Sequence, residues 1–111
     1  MIKLREKDKL RICQLIEYCF SEPLEVWAYG SRVNGNSHDS SDLDLVLRQQ
    51  GLKPLNRDEV NKFTEQLRTS NIPLLVEARD WAAIPESFHQ QIVKNHEVFY
   101  SSPQDEVNTN E

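Results

Sequence analysis

A turn rich in small residues, followed by two closely spaced carboxylates, is the segment of this chain most suited to chemistry. Gly30, Ser31 and Gly35 lie in the turn, and Asp42 and Asp44 follow it with a single residue between them. Glycine lets the main chain approach a ligand closely, and the N–H groups of such a turn can bind a polyphosphate. Side chains alternate along a strand, so the two aspartates project together and offer hard oxygen ligands to Mg²⁺. The pattern predicts a site for phosphoryl or nucleotidyl transfer.

The order of these residues resembles a known signature. The run from Gly30 to Gly35 followed by Ser41 to Val46 is similar to the motif of the polymerase-beta nucleotidyltransferase superfamily, which reads Gly-Ser, a gap, Gly, a gap, then Asp-x-Asp. The resemblance covers roughly residues 10 to 100. It implies a third carboxylate on a later strand, and Glu77 occupies that place where relatives usually carry aspartate.

The resemblance implies a role for each residue of the motif. Three carboxylates would bind two magnesium ions and take part in catalysis if the second and third strands are neighbours. Glu77 is one methylene longer than aspartate and is either a ligand or an exposed strand residue, with Asp80 as a substitute ligand. Arg32 either neutralises phosphate charge or is simply solvated. The predicted catalytic and metal-binding residues are Asp42, Asp44 and Glu77, and the predicted triphosphate-binding residues are Gly30, Ser31, Arg32 and Gly35.

With only 111 residues, the chain is similar to the minimal nucleotidyltransferases, the small partners of HEPN-domain toxins. This resemblance implies that the protein transfers AMP from ATP to a tyrosine hydroxyl of its HEPN partner and so acts as an antitoxin. Two other functions stay open. The chain could be a non-catalytic subunit that occludes the HEPN protein by contact, or it could transfer a nucleotide to a small molecule or an RNA end.

Length, composition and charge predict one small domain. The chain has 38% hydrophobic residues, enough for one modest core over residues 1–100, and the polar, acidic segment 101–111 is expected to be disordered. The net charge of −5 argues against non-specific wrapping of nucleic acid, which needs a basic face. The basic residues near the N-terminus indicate either a solvated helix face or a surface for phosphate or an acidic partner.

Cysteine placement and hydropathy predict a cytoplasmic protein that is not inserted in a membrane. Cys13 and Cys19 lie in one predicted helix, point in different directions and cannot bridge each other. We expect both to be small core residues in a reducing compartment. The sequence has no apolar run long enough to cross a bilayer and no signal-peptide pattern.

Hydrophobic periodicity predicts helices alternating with strands. Helices are predicted over 7–20, 56–69 and 85–94, and strands over 24–29, 42–48 and 72–79, with a helical turn over 31–35 and a loop over 36–41. Residues 96–100 either add a strand or cover an edge. These elements predict an α/β (α+β) fold with a small mixed sheet and helices mainly on one face. This is consistent with the polymerase-beta-like palm that the resemblance implies.

Several side chains are assigned to packing. Alternation places Leu43, Leu45 and Leu47 in the core, and helical spacing turns Phe88, Ile92 and Val93 inward. Asn56 and Glu59 resemble a capping pair. Packing or surface roles are predicted for the histidines and tryptophans, namely His38, His89, His96, Trp27 and Trp81.

Overall fold

The computed structural model describes residues 4–30 and 42–102. The predicted turn 31–35, the loop 36–41 and the tail from residue 103 onward, together with Ser31, Arg32, Gly35 and His38, lie outside these ranges. In chain order the elements are α1 (Glu6–Cys19), β1 (Leu24–Tyr29), β2 (Leu43–Gln49), α2 (Arg57–Thr69), β3 (Val76–Asp80), α3 (Glu86–Lys94) and β4 (His96–Ser101). Short 3₁₀ turns follow β2 and β3, at Gln50–Leu52 and Trp81–Ala83.

The four strands form one mixed sheet in the order β3-β2-β1-β4. β1 is antiparallel to both β2 and β4, whereas β2 and β3 run parallel. A parallel pair requires a crossover connection, and here α2 provides it. The last predicted segment is therefore a true strand that pairs along β1.

One face of the sheet packs against α1 and α2. Leu43, Leu45 and Leu47 are fully buried there, as alternation predicts, together with Ile12 and Ile16 of α1. On α2, Phe63 is also fully buried, and its ring meets Phe20 edge to face with 5.5 Å between the centroids. This face holds the larger hydrophobic core, which confirms the predicted placement of the two longer helices.

The opposite face carries a smaller core built around the short helix α3. Tyr29, Val46, Trp81 and Ile92 are buried there. The inward position predicted for Val93 is wrong, because this side chain is 54% exposed. Neighbouring residues on a helix point about 100° apart, and the adjacent Ile92 takes the inward direction.

Asn56 caps α2 as predicted, because its side-chain oxygen accepts the N–H of Glu59 at 3.1 Å. Glu59 does not complete a reciprocal capping box. Its carboxylate accepts hydrogen bonds from the main-chain N–H and the hydroxyl of Ser21 at 3.3 and 2.8 Å. The first turn of α2 is thereby attached to the chain just after α1.

The third strand begins later than predicted, at Val76 instead of residue 72. The backbone bends at Pro73 and Leu74, and proline cannot donate to a strand ladder. Ahead of the strand, the carbonyl of Leu75 accepts the N–H of Leu43 at 2.9 Å.

Cys13 and Cys19 are free thiols, and burial raises the pKa of both. His89 stacks flat on Trp81 with 3.9 Å between ring centroids, and His96 stacks on Trp27 at 3.8 Å. These contacts confirm packing roles for both histidines and both tryptophans. Within residues 4–30 and 42–102, no helix combines the length and apolar character needed to cross a membrane.

Candidate functional site

Two of the predicted carboxylates stand side by side on neighbouring strands. Asp44 of β2 pairs with Glu77 of β3 in the parallel register, and Tyr29 of β1 pairs with Asp44 in the antiparallel register. Residues paired across strands project to the same face of a sheet. Tyr29, Asp44 and Glu77 therefore form one row across three strands, which we call the acidic row. It lies on the α3 face, opposite the core that receives Val76 and Ala78.

The third predicted carboxylate, Asp42, lies one residue before β2 and is exposed. It is close enough to Asp44 to raise the pKa of that side chain. The structure thus brings Asp42 and Glu77 to either side of Asp44, one along the chain and one across the sheet.

Gly30 ends β1 next to Asp44 in a backbone conformation that favours glycine. Its φ angle is +87°, in the left-handed region. A Cβ atom added at this position would lie 2.6 Å from Oδ2 of Asp44. The carboxylate therefore occupies the space that any other side chain at position 30 would need. The sequence assigned Gly30 to phosphate binding, and the structure adds this steric reason for glycine.

The surroundings of Asp44 disfavour the charged form of its carboxylate. Burial is the largest cause that raises its pKa, followed by the negative charges of Glu77 and Asp42, while the Arg79 guanidinium lowers it. The ionised form of Asp44 is thus disfavoured by burial and like charge. A nearby cation would favour the ionised form and so offset both the burial and the repulsion from like charges.

Arg79 and Tyr29 belong to this site, and sequence reasoning missed both. The Arg79 guanidinium lies 3.5 Å from a carboxylate oxygen of Glu77 and is also near the Tyr29 hydroxyl. Burial raises the pKa of Tyr29, and the neighbouring Arg79 guanidinium lowers it. Alternation alone could have placed Arg79 on the face of Glu77, two residues earlier. The contact with Tyr29 required the strand order.

Asp80, the substitute ligand, is engaged elsewhere. Its carboxylate accepts the N–H of Leu55 at 3.1 Å and the N–H of Ala82 at 3.0 Å, and it caps the 3₁₀ turn after β3. In the parallel register Asp80 pairs with Leu47, a core residue. It therefore supports local structure, whereas Glu77 is the acid in register with Asp44.

The two carboxylates of the acidic row and the nearby Asp42 are chemically suited to a hard divalent cation. Asp42, Asp44 and Glu77 offer carboxylate oxygens, which Mg²⁺ prefers, and the absence of a side chain at Gly30 leaves room for the Asp44 carboxylate. As the side chains stand, the described parts of the chain contain no group of three or more His, Cys, Asp or Glu residues gathered closely enough to hold a metal ion. Any such site would need Glu77 or Asp42 to turn toward Asp44.

Comparison with known families identifies the class of this protein. The polymerase beta, nucleotidyltransferase family model matches residues 13–105, so the chain belongs to that family and is a nucleotidyltransferase. It is 34% identical over 94 residues to a probable protein adenylyltransferase MntA of Haemophilus influenzae, a match that covers 84% of this chain and 80% of that protein.

Solved structures share the fold at low sequence identity. A toxin–antitoxin crystal structure with AMP-PNP aligns at a TM-score of 0.68 and 18% identity, covering 91% of this chain and 77% of that one. A crystal structure of the toxin–antitoxin MntA–HepT aligns at 0.59 and 14%, covering 88% and 74%. A crystal structure from Shewanella oneidensis aligns at 0.66 and 12%, covering 88% and 73%. The family match and these shared folds together establish the polymerase-beta-like fold that the resemblance in the sequence implied.

Proposed function

We propose that this nucleotidyltransferase uses Mg²⁺ to transfer AMP from ATP to a tyrosine hydroxyl of a cognate HEPN toxin, and that it thereby acts as an antitoxin. The observation that carries the proposal is the register of Asp44 with Glu77 beside Gly30. ATP as donor is supported by the adenylyltransferase relative and by the AMP-PNP in a structural neighbour. The HepT in another neighbour supports a HEPN partner. ATP, Mg²⁺ and reduced thiols are all available in the cytoplasm, where we place the reaction.

Asp42, Asp44 and Glu77 would hold the metal in this reaction. Bound magnesium would supply charge neutralisation for the triphosphate and lower the pKa of the acceptor hydroxyl. Main-chain amides at Gly30 and Ser31, with the Ser31 hydroxyl, would bind the β- and γ-phosphates, helped by Arg32. Gly35 would let the turn approach them.

The transfer itself is an in-line displacement. The tyrosine oxygen forms a bond to the α-phosphorus, the bond from that phosphorus to the bridging oxygen breaks, and pyrophosphate leaves. Glu77 is the carboxylate we assign to receive the hydroxyl proton, because its side chain is 43% exposed and accessible to an incoming acceptor.

Incubation of the chain with Mg²⁺, ATP and the protein encoded beside its gene tests the proposal. Label on the α-phosphate should appear on a tyrosine of the partner, and label on the γ-phosphate should not. Asp42→Asn and Asp44→Asn should each reduce transfer by about 100-fold or more, since each removes a charged ligand. Asp58→Asn makes the same change on an exposed residue of α2 and should leave the rate unchanged.

Other outcomes separate the remaining functions. If the aspartate variants still inhibit the partner and no label is transferred, the chain acts by occlusion. If label appears on a small molecule or on an RNA end instead of the protein, the acceptor in the proposal is wrong.

A further inference from the structure

Arg79 stands beside the acidic row, in contact with Glu77 and near Tyr29. It is two residues after Glu77 on β3 and pairs in register with Val46, so it lies on the same face of the sheet. Its contact with Glu77 is long, at 3.5 Å, and both side chains are about half exposed, at 49% and 43%. Ion pairs of this kind contribute little stability and are easily exchanged.

Arg79 also lies near Tyr29, whose phenol ring is nearly buried, and the guanidinium lowers the pKa of that phenol. The ring of Tyr29 meets that of Phe88 edge to face, with 5.6 Å between centroids, which fixes its orientation. Tyr29 is therefore a fixed neighbour of Arg79, while the contact with Glu77 is free to change.

A cation at Asp44 and the Arg79 guanidinium would compete for Glu77, since both are positive and both need its oxygens. A triphosphate beside the cation would attract the displaced guanidinium, whose five N–H donors suit phosphate oxygens. We infer that Arg79 is a positioning residue that exchanges partners, holding Glu77 before the metal binds and contacting a substrate phosphate afterwards. This inference rests on the proposed function.

Binding measurements on the full chain, made without any transfer reaction, test the exchange. Without nucleotide, Arg79→Gln should bind Mn²⁺ about 5-fold more tightly, because the competing charge is gone. With Mg²⁺ present, the same variant should bind a nonhydrolysable ATP analogue about 10-fold more weakly, because a charge-assisted hydrogen bond is lost. Arg79→Lys keeps the charge and should restore the wild-type Mn²⁺ affinity.

Arg68→Gln is the matched control. It removes the same charge from an exposed residue of α2 that pairs with Glu65, and it should shift neither affinity. Opposite shifts in the Arg79→Gln variant support partner exchange. Unchanged affinities, shifts in the same direction, or a wild-type chain that binds no Mn²⁺ would overturn it. Normal AMP transfer with unchanged affinities would reject this inference alone, whereas opposite shifts without transfer would reject only the proposed function.

Discussion

At the scale of single residues, Gly30 is constrained both by its backbone and by its neighbour. Gly30→Ala should destabilise the fold by about 1–2 kcal/mol because of the left-handed backbone. It should also displace Asp44 and reduce AMP transfer severalfold. Urea unfolding and the labelling assay measure the two effects separately.

Gly51→Ala is the control for this variant. Gly51 also has a positive φ, +76°, but a Cβ there would meet only the Lys53 side chain at 3.8 Å or more. Gly51→Ala should lower the free energy of unfolding by a similar amount and leave AMP transfer unchanged. Equal losses of activity in both variants would show that strain, and not the contact with Asp44, explains the result.

The raised pKa of Asp44 makes stability depend on pH. The folded state holds the Asp44 proton more tightly than the unfolded state, so stability falls as pH rises from the ordinary value of 3.8 through the raised pKa. At neutral pH Asp44 is ionised, and the full loss of unfolding free energy is present. Asp44→Asn should therefore raise the urea midpoint at pH 7, and the gain should shrink as pH falls through that window.

The exposed Asp58, in the first turn of α2, is the comparison for this pH effect. Asp58→Asn should not raise the urea midpoint, either at pH 7 or within the acidic window, because an acid at a helix N-terminus is favourable. A gain from Asp44→Asn that stayed constant with pH would argue against the electrostatic cause.

The sequence identified the residues that are chemically unusual for their position. Gly30, Asp42 and Asp44 were singled out because their types and spacing are informative without a fold, and Glu77 because the family resemblance implies a third carboxylate on a later strand. Arg79 and Tyr29 were missed, since an arginine in a strand and an aromatic residue at its end are ordinary. Their contact depends on β1 and β3 flanking β2, which periodicity does not encode.

At the scale of elements, the start of α2 depends on one side chain. Asn56→Ala should lower the unfolding free energy by about 1 kcal/mol, because the N–H of Glu59 loses its acceptor. Urea unfolding with an unchanged m-value measures this loss. Asn56→Asp retains an acceptor and should recover most of the stability, and a failure to recover it would show that the cap is not the cause.

Element boundaries were predictable where local signals agree. β1 matches its predicted range because a run of large apolar residues is closed by Gly30. The start of β3 was placed too early, because Ile72, Leu74 and Leu75 continue the apolar pattern while the backbone still bends at Pro73. The direction of Val93 was wrong because α3 buries a narrower stripe than its composition indicates.

At the scale of the whole molecule, ligand binding and folding are linked. A ligand that binds only the folded chain stabilises it by about 2.7 kcal/mol at 100 times its Kd. For a domain of this size we expect Mg²⁺ with a nonhydrolysable ATP analogue to raise the Tm by about 10 °C or more. The rise should disappear in Asp44→Asn, and an equal rise in both proteins would place the ligand elsewhere.

The position of β3 at the edge of the sheet has a further consequence. Within the described sheet it is bonded only to β2, yet it carries Glu77 and Arg79. Because the proposed function relies on Glu77, we expect fraying of this one strand to stop AMP transfer while both helices over the larger core stay folded. In the same way, a nascent chain would gain the proposed third carboxylate only once β3 has paired with β2. Mild heating should therefore abolish activity before the helical circular dichroism signal falls.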